Sequence, residues 1–251
     1  MATETHTEQP APTLRRRIVL AAAGLLEEKG LEAVSTRAVA AAAGVPTPSI
    51  FRLFGDKDGL LEEVAEYGFK RYLEAKAELL TGDDPVQVLR DAWDEHIRFG
   101  LEHPAYYGLV YGRVRSGHLS QAGLRAIDGL RHMITQVAAA GRLRMNVERA
   151  TEVMHGAGVG TVITLMSLPE DVRDLRTSHT AREMVISTIT LPPQEGDDAD
   201  RGAPVAGRAI ALRAALDRGD TAALSPGERT LLREWLDRLA DAEDEDGNAD
   251  G

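Results

Sequence analysis

The stretch "GVPTPSIFRLFGDKDGLL", residues 44–61, sets two prolines directly before a short aromatic run, in a chain whose formal net charge is -11. Proline breaks a helix interior but is tolerated at the first helical position, where its missing N–H would have had no partner. The spacing therefore predicts a helix with Thr47 at its cap, Pro48 first and Phe54 last. On it Ile50, Leu53 and Phe54 recur at three and four residues and face inward, leaving Thr47, Ser49 and Arg52 on the opposite side. Asp56 is placed to cap the next helix. The apolar stripe Leu61, Val64, Ala65, Gly68, Tyr72, Ala75 and Leu79 makes that helix a rod on the order of 35 Å, long enough to connect two domains.

Upstream, Leu14, Ile18, Ala21, Ala22 and Leu25 form a helical stripe closed by Gly30, whose missing Cβ suits the backbone that ends a helix. Ser35 offers its hydroxyl to cap a second helix, Thr36–Ala43, and Gly44 stops it. A helix-turn-helix needs small residues where its helices meet, a glycine in the turn and an amphipathic second helix. Ala40 and Ala43 supply the first, Gly44 the second, and Val45 an apolar anchor. A plain helical corner fits the same pattern; the capped helix before the pair and the lysine-bearing helix start at Lys57 favour the DNA-binding unit.

The segments "IVLAAAGLLEEKGLEAVS" (18–35), "VAAAAGV" (39–45) and "SIFRLFGDKDGLL" (49–61) carry a resemblance. Residues 14–61 resemble the amino-terminal DNA-binding domain of the TetR/AcrR family of one-component transcriptional regulators. Beyond Leu61 the chain resembles that family only in being helical. The resemblance implies that Arg37 and Lys57, aided by Ser35 or Thr36, grip phosphates at helix N-termini, where free N–H groups and the positive dipole end attract anions. It implies that Thr47, Ser49 and Arg52 face the major groove, Arg52 donating to guanine or taking a phosphate. Phe51 stands where the family often has tyrosine, so a phenolic contact is lost. Pro46 and Pro48 also depart from the common pattern, and Pro48 and Phe51 complete the expected DNA-facing set.

A net charge of -11 looks ill suited to DNA, but it is unevenly placed. From Pro10 to Leu60 the chain has seven Lys or Arg against five Asp or Glu. Distant acidic groups are partly screened beyond about 8 Å at physiological salt, and affinity follows the cations that reach phosphates. The absence of cysteine excludes disulfides and thiolate zinc sites and suits a reducing compartment. The polar start "MATETHTEQPAPT" has no signal pattern, and the apolar stretch Ala157–Leu168 is too short to span a bilayer. The expectation is a cytoplasmic protein with no membrane partner.

The pattern predicts an all-α chain. A disordered arm (1–12) precedes the helix-turn-helix domain (13–56) and a larger helical ligand-binding and dimerisation domain (57–191). A linker (192–204), a helical pair (205–240) and a disordered acidic tail (241–251) follow. In the larger domain helices are expected near 86–102, 104–113, 120–140, 147–168 and from Val172 or later to Thr190. "SPGE" at 225–228 is a capping box opening the last helix. Five of the eleven aromatic residues fall between Trp93 and Tyr111. Trp93, Phe99, Tyr106, Tyr107 and Tyr111, with His96 and His103, are the candidate lining of a pocket for a small-molecule effector of unknown identity; ordinary core packing is the plainer reading of each ring. Gly156 and Gly160 with Thr161 and Thr164, and Met184 and Ser187 on the next helix, form the candidate homodimer face, as the family pattern implies.

Glu152 and His155 make an E-x-x-H pair, but no second copy occurs, so neither metal nor cofactor is expected. No H-E-x-x-H, G-x-S-x-G or phosphate-loop motif appears, and no enzyme is expected. The expected function is a ligand-responsive DNA-binding regulator, a repressor released from a palindromic operator. The alternatives are a helical protein-interaction module or a regulator without an effector.

Overall fold

The computed structural model describes residues 13–79, 82–112, 119–192, 205–218 and 224–241. The expected amino-terminal arm, nearly all of the linker and the acidic tail lie outside them. The described chain is all-α: α1 Leu14–Lys29, α2 Thr36–Ala43, α3 Pro48–Phe54, α4 Lys57–Leu79, α5 Pro85–Glu102, α6 Pro104–Tyr111, α7 Gln121–Ala139, α8 Val147–Met166, α9 Arg176–Ile189, α10 Val205–Arg218 and α11 Pro226–Asp241. Single 3-10 turns lie at Leu31–Ala33 and Glu170–Val172. Among the described residues no strand forms, only an isolated antiparallel bridge between Leu143 and Thr190. No described helix is long and apolar enough to cross a membrane.

Two compact units divide the chain, and the division falls within α4. The first unit holds α1 to α3, α4 as far as Lys70, and α6 with the first residues of α7. Its core is built from Ile18, Ala22, Leu26, Val39, Ile50, Leu60, Val64 and Phe69, all buried. Each short helix is bounded by a local device. The Thr13 hydroxyl accepts from the Arg16 amide at 3.3 Å and the Ser35 hydroxyl from that of Ala38 at 3.1 Å. Gly44 ends α2 at φ 63°, ψ 43°, its N–H bonding the carbonyls of Ala40 and Ala41, while the Val45 amide returns to Ala40 at 3.0 Å. That left-handed residue turns the chain sharply into α3. On α4, Gly68 leaves the room that the Tyr106 ring of α6 fills, and any Cβ there would collide with it.

In the second unit α5, α8 and α9 pack on one another. Gly158 of α8 lets the His96 ring approach to 3.3 Å of where a Cβ would stand. The Trp93 indole donates to the Ser178 hydroxyl at 3.0 Å, joining α5 to α9 in the interior. Outside, Arg90 pairs with Glu183 at 3.1 Å and Arg182 with Asp94. Such partly exposed pairs contribute modestly. The α7–α8 connection is tied to the end of α9 by Arg144 N–H to Ile189 O and Leu191 N–H to Arg142 O, both 2.9 Å.

The helices α10 and α11 form a hairpin. At its second start the Ser225 amide donates to Glu228 at 2.8 Å and the Glu228 amide to the Ser225 hydroxyl at 3.3 Å, so the capping box is formed. These bonds to Ser225 hold the Glu228 carboxyl below the usual range. Their contribution is therefore present near neutral pH and lost as pH falls through that lowered value.

Two glycines should respond oppositely to alanine. Gly44→Ala, at positive φ, is expected to destabilise the protein by about 1–2 kcal/mol. Gly24→Ala, inside α1 with nothing within 4 Å of the added carbon, is expected to stabilise it by roughly 0.5–1 kcal/mol. Thermal melting of the two variants checks both signs.

Candidate nucleic-acid interface

The short helix α3 is anchored from one side. Ile50 is 0% exposed and Phe54 8%, Leu53 is half-buried, and the opposite positions are open: Pro48 and Arg52 are exposed and Phe51 is 49% exposed. Thr47 and Ser49 are half-buried. The entry to α3 differs from the sequence expectation in one respect. Thr47 already has helical φ and ψ, -50° and -39°, and its side chain makes no capping bond. A cap needs extended backbone to swing its oxygen over the first turn. Here the turn is closed by backbone alone, Ser49 N–H to Pro46 O at 2.9 Å and Ile50 N–H to Thr47 O at 3.0 Å.

The cationic candidates sit where the fold puts helix starts. Ser35 caps α2, Thr36 and Arg37 are its first two residues, and Lys57 opens α4. Arg37 and Lys57 are exposed, Thr36 half-buried. Asp56 caps α4 as its sequence position requires, accepting from the Gly59 amide at 2.8 Å. The junction of α3 with α4 is tight, because a Cβ on Gly59 would collide with the Phe54 carbonyl oxygen.

Arg15, not singled out by its sequence position, braces the same junction. Its Nη1 donates to the Leu53 carbonyl at 3.0 Å, and its Nε and Nη2 both donate to the Glu63 carboxylate of α4, Nε at 2.9 Å. The guanidinium also lies 5.0 Å from the centre of the Phe54 ring.

The seven candidate pocket residues fall in both units. Trp93, His96, Phe99 and His103 belong to the second. There the Tyr72 hydroxyl and His96 Nδ1 are 2.9 Å apart, and Tyr72 stacks on Phe99 with ring centres 4.7 Å apart. The Phe99 and His103 rings are 5.2 Å apart, and His103 is exposed. Tyr72 was assigned by spacing to an apolar stripe; its hydroxyl bond across 24 residues has no local sequence signal. Tyr106, Tyr107 and Tyr111 are buried in the first unit, where Tyr107 and Tyr111 lie 4.8 Å apart and Phe69 meets Tyr111 edge-on. Burial pushes all three phenols above their ordinary range, so they stay protonated at neutral pH.

The candidate dimer residues lie on the outside of α8 and α9. Gly156, Gly160, Thr164 and Ser187 are exposed, Met184 is 65% exposed, and Thr161 is half-buried. Val153 and Ile163 extend the exposed face. Its hydroxyls bond their own helices: Thr161 to Ala157 O and Thr164 to Gly160 O, both 2.8 Å, and Ser187 to Met184 O at 3.0 Å. Among the described residues no group of three or more His, Asp or Glu could hold a metal ion.

This arrangement, a capped helix, a glycine turn and a short half-exposed helix, is a helix-turn-helix of DNA-binding type. Residues 18–64 match the family described as bacterial regulatory proteins, tetR family. Residues 18–64 are accordingly a DNA-binding domain of the tetR family type. No curated protein matches the chain. Among solved structures it is similar to a tetR family transcription regulator from Shewanella sp. PV-4, with TM-score 0.58 and 20% identity over 72% of this chain and 100% of that one. It is similar also to a transcriptional regulator of the TetR/AcrR family from Thermobifida fusca YX-ER1, with TM-score 0.52, 20% identity, and 68% and 96% of the two chains covered. The multidrug binding protein EbrR, complexed with imidazole, matches with TM-score 0.52, 22% identity, and 73% and 99% covered. At these identities the likeness is one of fold.

Gly59→Ala is expected to lower stability by about 1–3 kcal/mol, because the collision is with backbone and the junction must open to relieve it. A thermal midpoint equal to that of the unaltered protein would contradict the tight junction.

Proposed function

We propose that the protein is a ligand-responsive repressor that binds a palindromic operator as a homodimer and leaves it when a small molecule binds. The observation that carries this reading is α3 itself, a helix whose buried Ile50 and Phe54 fix an outward set of Pro48, Phe51 and Arg52 beside half-buried Thr47 and Ser49. In this reading Thr47, Pro48, Ser49, Phe51 and Arg52 lie toward the major groove. The Arg52 fork suits the paired acceptors of guanine, and the Phe51 ring suits a thymine methyl group or sugar. Arg37 and Lys57, with Ser35 and Thr36, hold phosphates at two helix starts, setting register without reading sequence.

Two copies associate through α8 and α9. The observation supporting this is a face that joins exposed apolar side chains to hydroxyls already bonded within their own helices, so that burying those hydroxyls strands none of them. Among the described residues, a Cβ added at Gly156 or Gly160 would meet nothing within 4 Å, which leaves room for a second copy. The effector reading rests, in the second unit, on His96 and Phe99 against Tyr72, with Trp93 and His103; Tyr106, Tyr107 and Tyr111 are separate candidates within the first unit. The shared fold with a multidrug binding protein supports it. The helix α4 begins at the candidate DNA contacts and runs on to Tyr72 and beyond, giving the two activities one continuous element. Ligand and DNA then oppose each other by reciprocal linkage.

Selection of genomic fragments by the purified protein tests the reading. Enrichment of an inverted repeat is expected, while absence of any enriched duplex at low salt would favour a protein-interaction module. On the selected duplex, Arg37→Ala should weaken binding to all sequences and reduce the salt slope by about one. Substitutions at Ser49 or Arg52 should change sequence preference instead. Gly156→Leu should leave the fold intact and shift sedimentation toward monomer; an undiminished dimer would remove α8 from the interface.

A further inference from the structure

The helix α3 has seven residues, and its last carbonyls have no partner within the helix. One of them, Leu53 O, is taken by the side chain of a residue 38 positions away, Arg15 of α1. The same guanidinium holds Glu63 of α4 with two of its nitrogens and lies over the ring of Phe54. Three helices thus meet on one planar group. Arginine suits this because its donors form a rigid fork that can serve a carboxylate and a carbonyl at once, whereas a lysine ammonium is a single point charge. The pair is half-exposed, with side-chain exposures of 50% and 30%, so it adds little to global stability. Its effect is geometric: it fixes the angle at which α3 leaves α1 and α4.

We propose that Arg15 is a positioning residue for DNA reading, which sets α3 in register through Leu53 and Glu63 while making no contact with bases itself. The inference rests on α3 as the reading helix, as proposed above. It has a consequence that simple electrostatics reverses. Glu63→Gln removes a negative charge from a DNA-binding unit and releases a cation beside it. On charge alone, binding should tighten and its salt dependence should steepen. If the pair positions α3, the same substitution weakens binding, because the brace loses its charged half.

The test uses the full-length protein and a duplex that the unaltered protein selects from random-sequence DNA. Glu63→Gln and Arg15→Lys are each expected to bind that duplex about tenfold more weakly, a loss comparable to one spoiled base contact. Their salt slope is unchanged and their preference among single-base variants of the duplex is flattened. Thermal melting of both should stay within a few degrees of the unaltered protein, which separates positioning from loss of fold. Equal or tighter binding by Glu63→Gln overturns the inference while leaving the regulator reading intact. So does a fall in salt slope of about one in Arg15→Gln alone, since that marks Arg15 as a phosphate contact. If the unaltered protein selects no duplex, the regulator reading itself fails and the inference with it.

Discussion

Burial of Ile50 and Phe54 is the constraint on which the rest of the site depends. A helix of two turns has no independent stability in water, because the cost of nucleating it is recovered only over many more residues. The helix α3 exists because two of its side chains are seated in the core of the first unit. Seating them also decides which residues are left outside. Had the apolar positions been shifted by one, Ser49 or Arg52 would have been drawn under the helix and a greasy face would have met the solvent. The turn before it serves the same end: Gly44 occupies backbone that other residues adopt at a cost, and the Val45 amide closes the end of α2.

The second unit solves a different problem, that of joining long helices without a cysteine or a sheet. It does so with a few buried polar joints. Trp93 bonds Ser178 across 85 residues, and the edge of His96 sits against Gly158 while its nitrogen meets Tyr72. Buried polar groups that are satisfied specify one arrangement, since any slip leaves a donor stranded. The solved structures similar to this chain cover 72% of it or thereabouts while being almost wholly covered themselves. A sizeable part of the chain therefore lies outside the shared fold. The hairpin of α10 and α11 buries Ala206, Ile210 and Ala214 on one helix and Leu236 and Ala240 on the other, and its second start is fixed by Ser225 and Glu228.

Much of the fold was legible because its signals are local. The limits of α2 and α3 follow from Ser35, Gly44 and Pro48, and those helices run Thr36–Ala43 and Pro48–Phe54 as the caps require. The capping box at Ser225 works the same way. Thr47 is the cap residue by position, as its place before Pro48 implies, but residue type does not show that its helical backbone leaves the side chain without a capping bond. The Leu31–Ala33 turn had no clear periodicity to announce it. The candidate site was legible only in part. Spacing along α3 gave its outward residues, but the Arg15–Glu63 brace joins positions 48 apart in a run of three arginines that look alike in sequence. Aromatics that are close in sequence, such as His103 and Tyr106, proved to belong to different units, since nearness along the chain says little once a proline starts a new helix at Pro104.

The hydroxyls on the outer face of α8 and α9 are satisfied by their own carbonyls. Burying those hydroxyls strands none of their hydrogens, although exposed Arg149, Glu152 and Glu183 stand at helical spacing beside them. On the proposed pairing, the attraction of this face comes chiefly from apolar contact, and mass action governs how often two chains meet there. Occupancy of a two-part DNA site would rise with the square of the chain's abundance when copies are scarce. A few-fold change in synthesis would be felt as a much steeper change in control, with no effector involved.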